Sequence, residues 1–174
     1  MSKIDLYKDN RKIVKSTKMT HQELVDRAVK WLYSYGCGFA VGEKVCYSTS
    51  GEIPDAIGFK GNQSILIECK TSRADFLADK QKHFRQNPKK GMGNFRLYLC
   101  EPSIILPEDL PEKRGLLYAQ GKRIKKIVFP KGNTIPLDFW QEKNYEDEHA
   151  LLYSCLRTKK PIKDTVVEKG LLTE

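Results

Sequence analysis

Two short strand-like segments that end in charge constrain this chain more than any other feature. Ile53-Pro54-Asp55-Ala56-Ile57-Gly58-Phe59 and Ile65-Leu66-Ile67-Glu68-Cys69-Lys70 flank Lys60-Gly61-Asn62-Gln63, a cluster of turn-forming residues. A short apolar run such as Ile65 to Ile67, bounded by turn residues, is the pattern of a buried strand. Folded as a hairpin about Gly61-Asn62, the two segments bring Asp55 opposite or nearly opposite Glu68. Side chains alternate along a strand, so Glu68 and Lys70 share one face and Cys69 points to the other. Two acids and a lysine then converge at one end of the hairpin.

Such a convergence is costly unless something uses it. Adjacent carboxylates repel, and an apolar strand solvates charge poorly. A divalent cation relieves the repulsion: Mg²⁺ favours hard oxygen ligands, typically one or two carboxylates with waters and phosphate oxygens. A neighbouring lysine can then orient water or stabilise charge on a phosphate. The bland alternative is a set of solvated surface ion pairs, which are worth little.

At these residues the chain resembles the PD-(D/E)xK nuclease superfamily, with Pro54-Asp55 and Glu68-Cys69-Lys70 matching its signature without a substitution. Residues 70–79 and 91–100 are similar to segments of MmcB-type bacterial DNA-repair proteins and of uncharacterised phage and prophage relatives. The resemblance implies a restriction-endonuclease-like α/β fold and hydrolysis of a nucleic-acid phosphodiester with Mg²⁺ or Mn²⁺. It implies that Asp55, Glu68 and the backbone carbonyl of Cys69 ligate the metal, and that Lys70 helps activate water. DNA is the expected substrate and RNA the alternative. A module that keeps the scaffold for binding nucleic acid or docking a partner is a further alternative. Many nucleases of this type act as dimers, so a homodimer is also open.

Charge agrees with a polyanionic partner. Lys plus Arg outnumber Asp plus Glu by 31 to 22, a formal +9. The five cysteines (Cys37, Cys46, Cys69, Cys100 and Cys155) have neither the spacing of a zinc site nor the even count of a disulfide framework. Reduced thiols in a cytoplasmic protein are expected, the host's cytoplasm if the chain is phage-encoded. No signal peptide is expected at Met1-Ser2-Lys3, and no apolar run approaches membrane length.

The remaining segments fit a central mixed sheet flanked by helices. Residues 1–18 read as a basic arm, 19–158 as the nuclease domain and 159–174 as a tail. Thr20-His21-Gln22-Glu23 has the form of a capping box opening a helix, with Leu24, Val25, Ala28, Val29 and Leu32 on its inner face. The resemblance makes an acid at this helix start a nominee for the metal, and Glu23 is the acid there. Helical phase favours His21 instead, because it lies three, four and seven residues before Leu24, Val25 and Ala28. Val41 to Tyr47 reads as the first strand. After Lys70, Ser72 should cap a helix running to just before Pro88, burying Phe76, Leu77 and Phe84. Arg73, Lys80, Gln81, Lys82, Arg85, Lys89 and Lys90 on and after this helix are the candidate nucleic-acid contacts, with Lys122, Arg123, Lys125 and Lys126 a second basic stripe or a charged sheet edge. Strands are expected at Phe95 to Cys100, Gly115 to Ala119 and Ile124 to Phe129. A last helix, near Asn144 to Arg157, should pack through Leu151, Leu152, Tyr153 and Leu156.

Overall fold

The computed structural model describes residues 18–132 and 136–158; the expected arm, save Lys18, and the tail lie outside them. A six-stranded mixed sheet, β1 to β6 in spatial order, carries helices on both faces. Its strands are β1 (Phe39–Gly42), β2 (Ala56–Lys60), β3 (Gln63–Lys70), β4 (Phe95–Cys100), β5 (Arg114–Gln120) and β6 (Arg123–Val128). The pairs β1/β2, β2/β3 and β5/β6 are antiparallel, whereas β3/β4 and β4/β5 are parallel. Parallel neighbours need a crossover of about a dozen residues or more. The first crossover carries α2 (Arg73–Asp79) and α3 (His83–Gln86).

Alternation sorts the two faces. Ile65, Ile67 and Cys69 of β3 join Phe95, Leu97 and Leu99 of β4 in one core, covered by α1 (His21–Ser34) through Leu24, Val25, Ala28 and Leu32. On the opposite face, Ile57 and Leu66 meet Leu151 and Cys155 of α4 (Tyr145–Thr158), and Phe76 of α2 meets Tyr98, Cys100 and Leu116. Between these two clusters the second face is charged: Glu68, Lys70, Arg96 and Arg114 are all buried. A charged strip at the middle of a sheet is expensive unless each group is answered.

Several boundaries differ from the sequence reading. The first strand is Phe39–Gly42, because Glu43 turns the chain with a φ of 46°. The helix after the motif is broken: α2 stops at Asp79 and α3 is a separate four-residue turn. Leu77 is exposed there, as are Tyr153 and Leu156 in α4, whose contact face is Leu151 and Cys155. The acidic start of α4 turns inward. Asp147 accepts hydrogen bonds from the backbone and hydroxyl groups of Thr49 and Ser50, and Glu148 accepts from Ser64 and from the backbone of Gly93. All five cysteines are free, and no helix among the described residues is long and apolar enough to cross a membrane.

Candidate active site

The hairpin turns at Gly61, whose φ of 56° favours glycine, and β2 and β3 pair Ala56 with Ile67. One further step of that register sets Asp55 across from Glu68, at the point where β2 begins and β3 runs on. Asp55 Oδ2 accepts the backbone N–H of Cys69 at 2.7 Å. In a strand the N–H and C=O of one residue point to the same side. The Cys69 carbonyl is therefore directed toward the Asp55 edge, while its thiol is fully buried in the α1-side core.

The start of α1 reaches the same place. Thr20 and Glu23 form the reciprocal capping box: the Thr20 side chain accepts from the Glu23 backbone, and Glu23 Oε2 accepts from the Thr20 backbone at 2.7 Å. Glu23 is thus committed to the helix end rather than to the hairpin. His21, one residue into the helix, sends Nε2 to 3.5 Å from Asp55 Oδ1 and 3.2 Å from Glu43 Oε1. Glu43 was not evident from the sequence. It is held by its left-handed backbone and by its own N–H, which donates to the carbonyls of Pro54 and Asp55. Ligand atoms of His21, Glu43 and Asp55 all lie within 4.8 Å of one another. Burial pushes the Asp55 carboxyl up to about 6, reinforced by the charge of Glu68 and opposed by the Cys69 N–H, Lys70 and His21.

Glu68 and Lys70 lie deeper, on the charged strip. Lys70 Nζ is 3.3 Å from Glu68 Oε2, 3.3 Å from Asp79 Oδ1 and 4.0 Å from Asp75 Oδ1. Burial works against its charge, but the carboxylates of Glu68, Asp79, Asp55 and Asp75 outweigh that and hold the ammonium well above its ordinary range. Lys70 is therefore a standing cation rather than a proton acceptor. Asp79 is likewise raised by burial, yet Arg85 and Lys70 bring it down to about 2. It lies three residues after buried Phe76, so helical phase marks it as inward; that signal was present in the sequence.

Arg85 is a correction. The expected basic ridge has no Arg85, because its side chain turns inward and is 4% exposed. Its guanidinium contacts Glu52, lies 2.6 Å from Glu68 Oε1 and is 3.0 Å from Asp79 Oδ2. Arg85 thus bridges all three carboxylates, and Lys70 answers two of them again. Glu68 Oε1 and Asp79 Oδ1 are buried beside cations without an aligned hydrogen-bond donor among the described residues.

The other expected nucleic-acid contacts divide. Arg73 forms a two-pronged pair with Asp109 at 2.5 and 2.6 Å, and Lys80 donates to the Asp109 carbonyl at 3.0 Å. Lys82 pairs with Asp79 at 3.1 Å and exposed Lys89 with Glu142 at 3.2 Å; Gln81 and Lys90 are exposed. In the second stripe Lys126 covers the rings of Tyr35 and Phe129. The continuous ridge read from sequence is thus a discontinuous set of cations, several already paired.

No family model matches the chain, and no curated protein matches it. A solved structure from Silicibacter pomeroyi, the SPO1766 protein of unknown function, is similar in fold. It superposes with a TM-score of 0.54 at 21% identity, over 81% of this chain and 90% of that one. A likeness at that identity speaks to the arrangement of sheet and helices alone.

Proposed function

We propose that this chain is a metal-dependent nuclease with a restriction-endonuclease-like fold, hydrolysing phosphodiester bonds in DNA. The observation that carries the reading is that Asp55, Glu68 and Lys70 fall at one end of one hairpin, near enough for the charges of Glu68 and Lys70 to act on the Asp55 carboxyl. Their order and spacing are those of the PD-(D/E)xK signature.

The residues present fit a divalent cation. Asp55 and Glu43 offer carboxylates, the Cys69 carbonyl offers a neutral oxygen, and the Asp55 carboxyl, raised first by burial and then by the charge of Glu68, is an anion that a cation would stabilise. The imidazole of His21 departs from an all-oxygen set, which admits a softer ion such as Mn²⁺ beside Mg²⁺. Glu68 stands one layer further in, tied to Lys70 and Arg85, and would ligate the ion only on giving up one of those contacts. When bound, a divalent ion supplies Lewis-acid stabilisation of the phosphoryl oxygens and a more acidic water.

The chain's own groups do the rest. Lys70, locked in its charged form, offers a fixed positive charge to a phosphate or an attacking water. Asp79 and Glu68 hold that ammonium in place from two directions. His21 and Glu43 share the rim with Asp55, His21 Nε2 lying between the two carboxylates. Exposed Lys90 offers charge to a nucleic-acid backbone.

A second reading, a non-cleaving nucleic-acid or partner-binding module, is favoured by one observation: Glu68 and Lys70 are only 2% and 3% exposed. One assay separates the two. Purified chain is incubated with supercoiled, linear, single-stranded and branched DNA, and with RNA, in Mg²⁺ or Mn²⁺. The nuclease reading expects cleavage of at least one DNA substrate, abolished by chelator and by Asp55→Ala or Lys70→Ala with binding retained. Binding without cleavage of any substrate in either metal leaves the second reading standing.

A further inference from the structure

Behind the candidate active site, the same sheet face carries one buried guanidinium without a hydrogen-bonding partner among the described residues. Arg114 opens β5 beside Arg96 and is 6% exposed, yet its guanidinium makes no hydrogen bond or ion pair with any described residue. Its neighbours are treated differently. Arg96 donates to the carbonyls of Gly93, Pro88, Gly91 and Glu142, while Arg85 and Lys70 are each met by carboxylates. No Arg114 nitrogen is among the sealed, unpartnered atoms of the interior, so the guanidinium opens to a cavity and stands free to take an anion there.

Arg114 faces a cavity of ≈ 260 Å³ walled also by Lys80, Arg85, Tyr98 and Asp109. Lys80 brings a second ammonium, steadied by the Asp109 carbonyl at 3.0 Å and the Phe76 ring at 4.7 Å. The one acid on the wall is already spent, since both Asp109 oxygens are taken by Arg73. Arg85 turns its charge toward Glu52, Glu68 and Asp79. Tyr98 gives its hydroxyl to Asp79 Oδ2 at 3.2 Å, so it links this wall to the acid that holds Lys70. What remains unmatched in the cavity is positive. Burial draws the Arg114 charge down from its ordinary range, opposed by Tyr98, Glu68 and Glu52 and aided by Arg85, and an anion in the cavity would favour the charged form further.

We propose that this cavity is a phosphate pocket, in which Arg114 and Lys80 grip a terminal phosphoryl group of a nucleic-acid strand. A planar guanidinium fork and a nearby ammonium suit a tetrahedral dianion carrying several acceptor oxygens. A cavity of ≈ 260 Å³ accepts a phosphoryl group with a few waters and lacks the room for a through-running strand. That the phosphoryl group belongs to a nucleic acid rests on the nuclease reading above; that the pocket takes phosphate does not.

The test is calorimetric titration of inorganic phosphate into the full chain at neutral pH. The wild type should bind with one saturable site. Arg114→Gln should weaken binding about tenfold or more, Arg114→Lys should fall between, and Asp55→Ala should bind as the wild type does. If Arg114→Gln does not fold, Lys80→Gln on the cavity wall should still weaken binding by about threefold. Displacement by an oligonucleotide with a 5′- or a 3′-phosphate, and not by the same strand with hydroxyl ends, supports the terminal assignment and tells which end is held. Equal displacement by the hydroxyl-ended strand overturns that assignment. Absence of saturable phosphate binding, or wild-type affinity in every cavity variant that folds, overturns the pocket itself. Cleavage has no part in this readout, so a chain that binds phosphate and cuts nothing refutes the nuclease reading alone.

Discussion

Replacing Asp55 with asparagine should make the metal-free protein more stable, and only above acidic pH. The folded state holds this carboxyl at about 6 against an ordinary 3.8, first through burial and then through the charge of Glu68. A carboxyl raised on folding binds its proton more tightly in the native state, so native stability falls as pH rises across that interval. Below about 4 both states are protonated and the cost vanishes; above about 6 it is complete. At ~1.4 kcal/mol per pH unit the interval corresponds to roughly 3 kcal/mol, and partial solvent access to the side chain lowers the expectation to ~1–3 kcal/mol. Asparagine keeps an oxygen for the Cys69 N–H and removes the repulsion. Urea unfolding in the presence of chelator, from about pH 4 to about pH 7.5, measures the difference. Asp55→Asn should match the wild type at the acid end and exceed it by ~1–3 kcal/mol at the neutral end. A saturating divalent cation should close the gap by stabilising the wild type alone. A variant less stable than wild type at neutral pH, or a difference that ignores pH, would refute the reasoning.

Two further outcomes follow from the charged strip and the packing around it. Arg85→Met removes the cation shared by Glu52, Glu68 and Asp79 and should cost ~3–5 kcal/mol at neutral pH by urea unfolding. Burial already raises Glu52, and losing Arg85 raises it further, so the deficit should shrink as pH falls and the carboxyls take protons. Gly42→Ala places a Cβ 2.7 Å from Val25 Cγ1 and 3.2 Å from the Asp55 carbonyl, so α1 must shift from β1. It should cost ~1–3 kcal/mol in unfolding, and in imidazole NMR spectra it should shift the His21 resonance.

Local chemistry made some of this legible in advance. The hairpin was readable because Gly61-Asn62 sits between two apolar runs, and the α1 start because Thr20 and Glu23 have capping-box spacing. Helical phase separated His21 from Glu23 for the same reason: a capping residue and an inward residue occupy different sides of the first turn. The remainder depended on contacts that no window of sequence contains. Arg85 reads as one more basic residue on a ridge until the break after Asp79 turns it toward Glu52, 33 positions earlier. Glu43 reaches Asp55 only because its backbone takes a left-handed turn after β1. Arg114 follows a charged turn and looks like a solvated strand start, whereas pairing with β4 buries it next to Arg96.

The central claim is that the acid at the hairpin's open end exists to hold a cation. Titration of Mn²⁺ into the folded chain, followed by the paramagnetic resonance of the free ion, tests it most directly. The account predicts a saturable site that disappears in Asp55→Ala and weakens about tenfold for each pH unit below about 6, as the Asp55 carboxyl takes up its proton. Binding of undiminished affinity in Asp55→Ala, or no saturable site in the wild type, would contradict it.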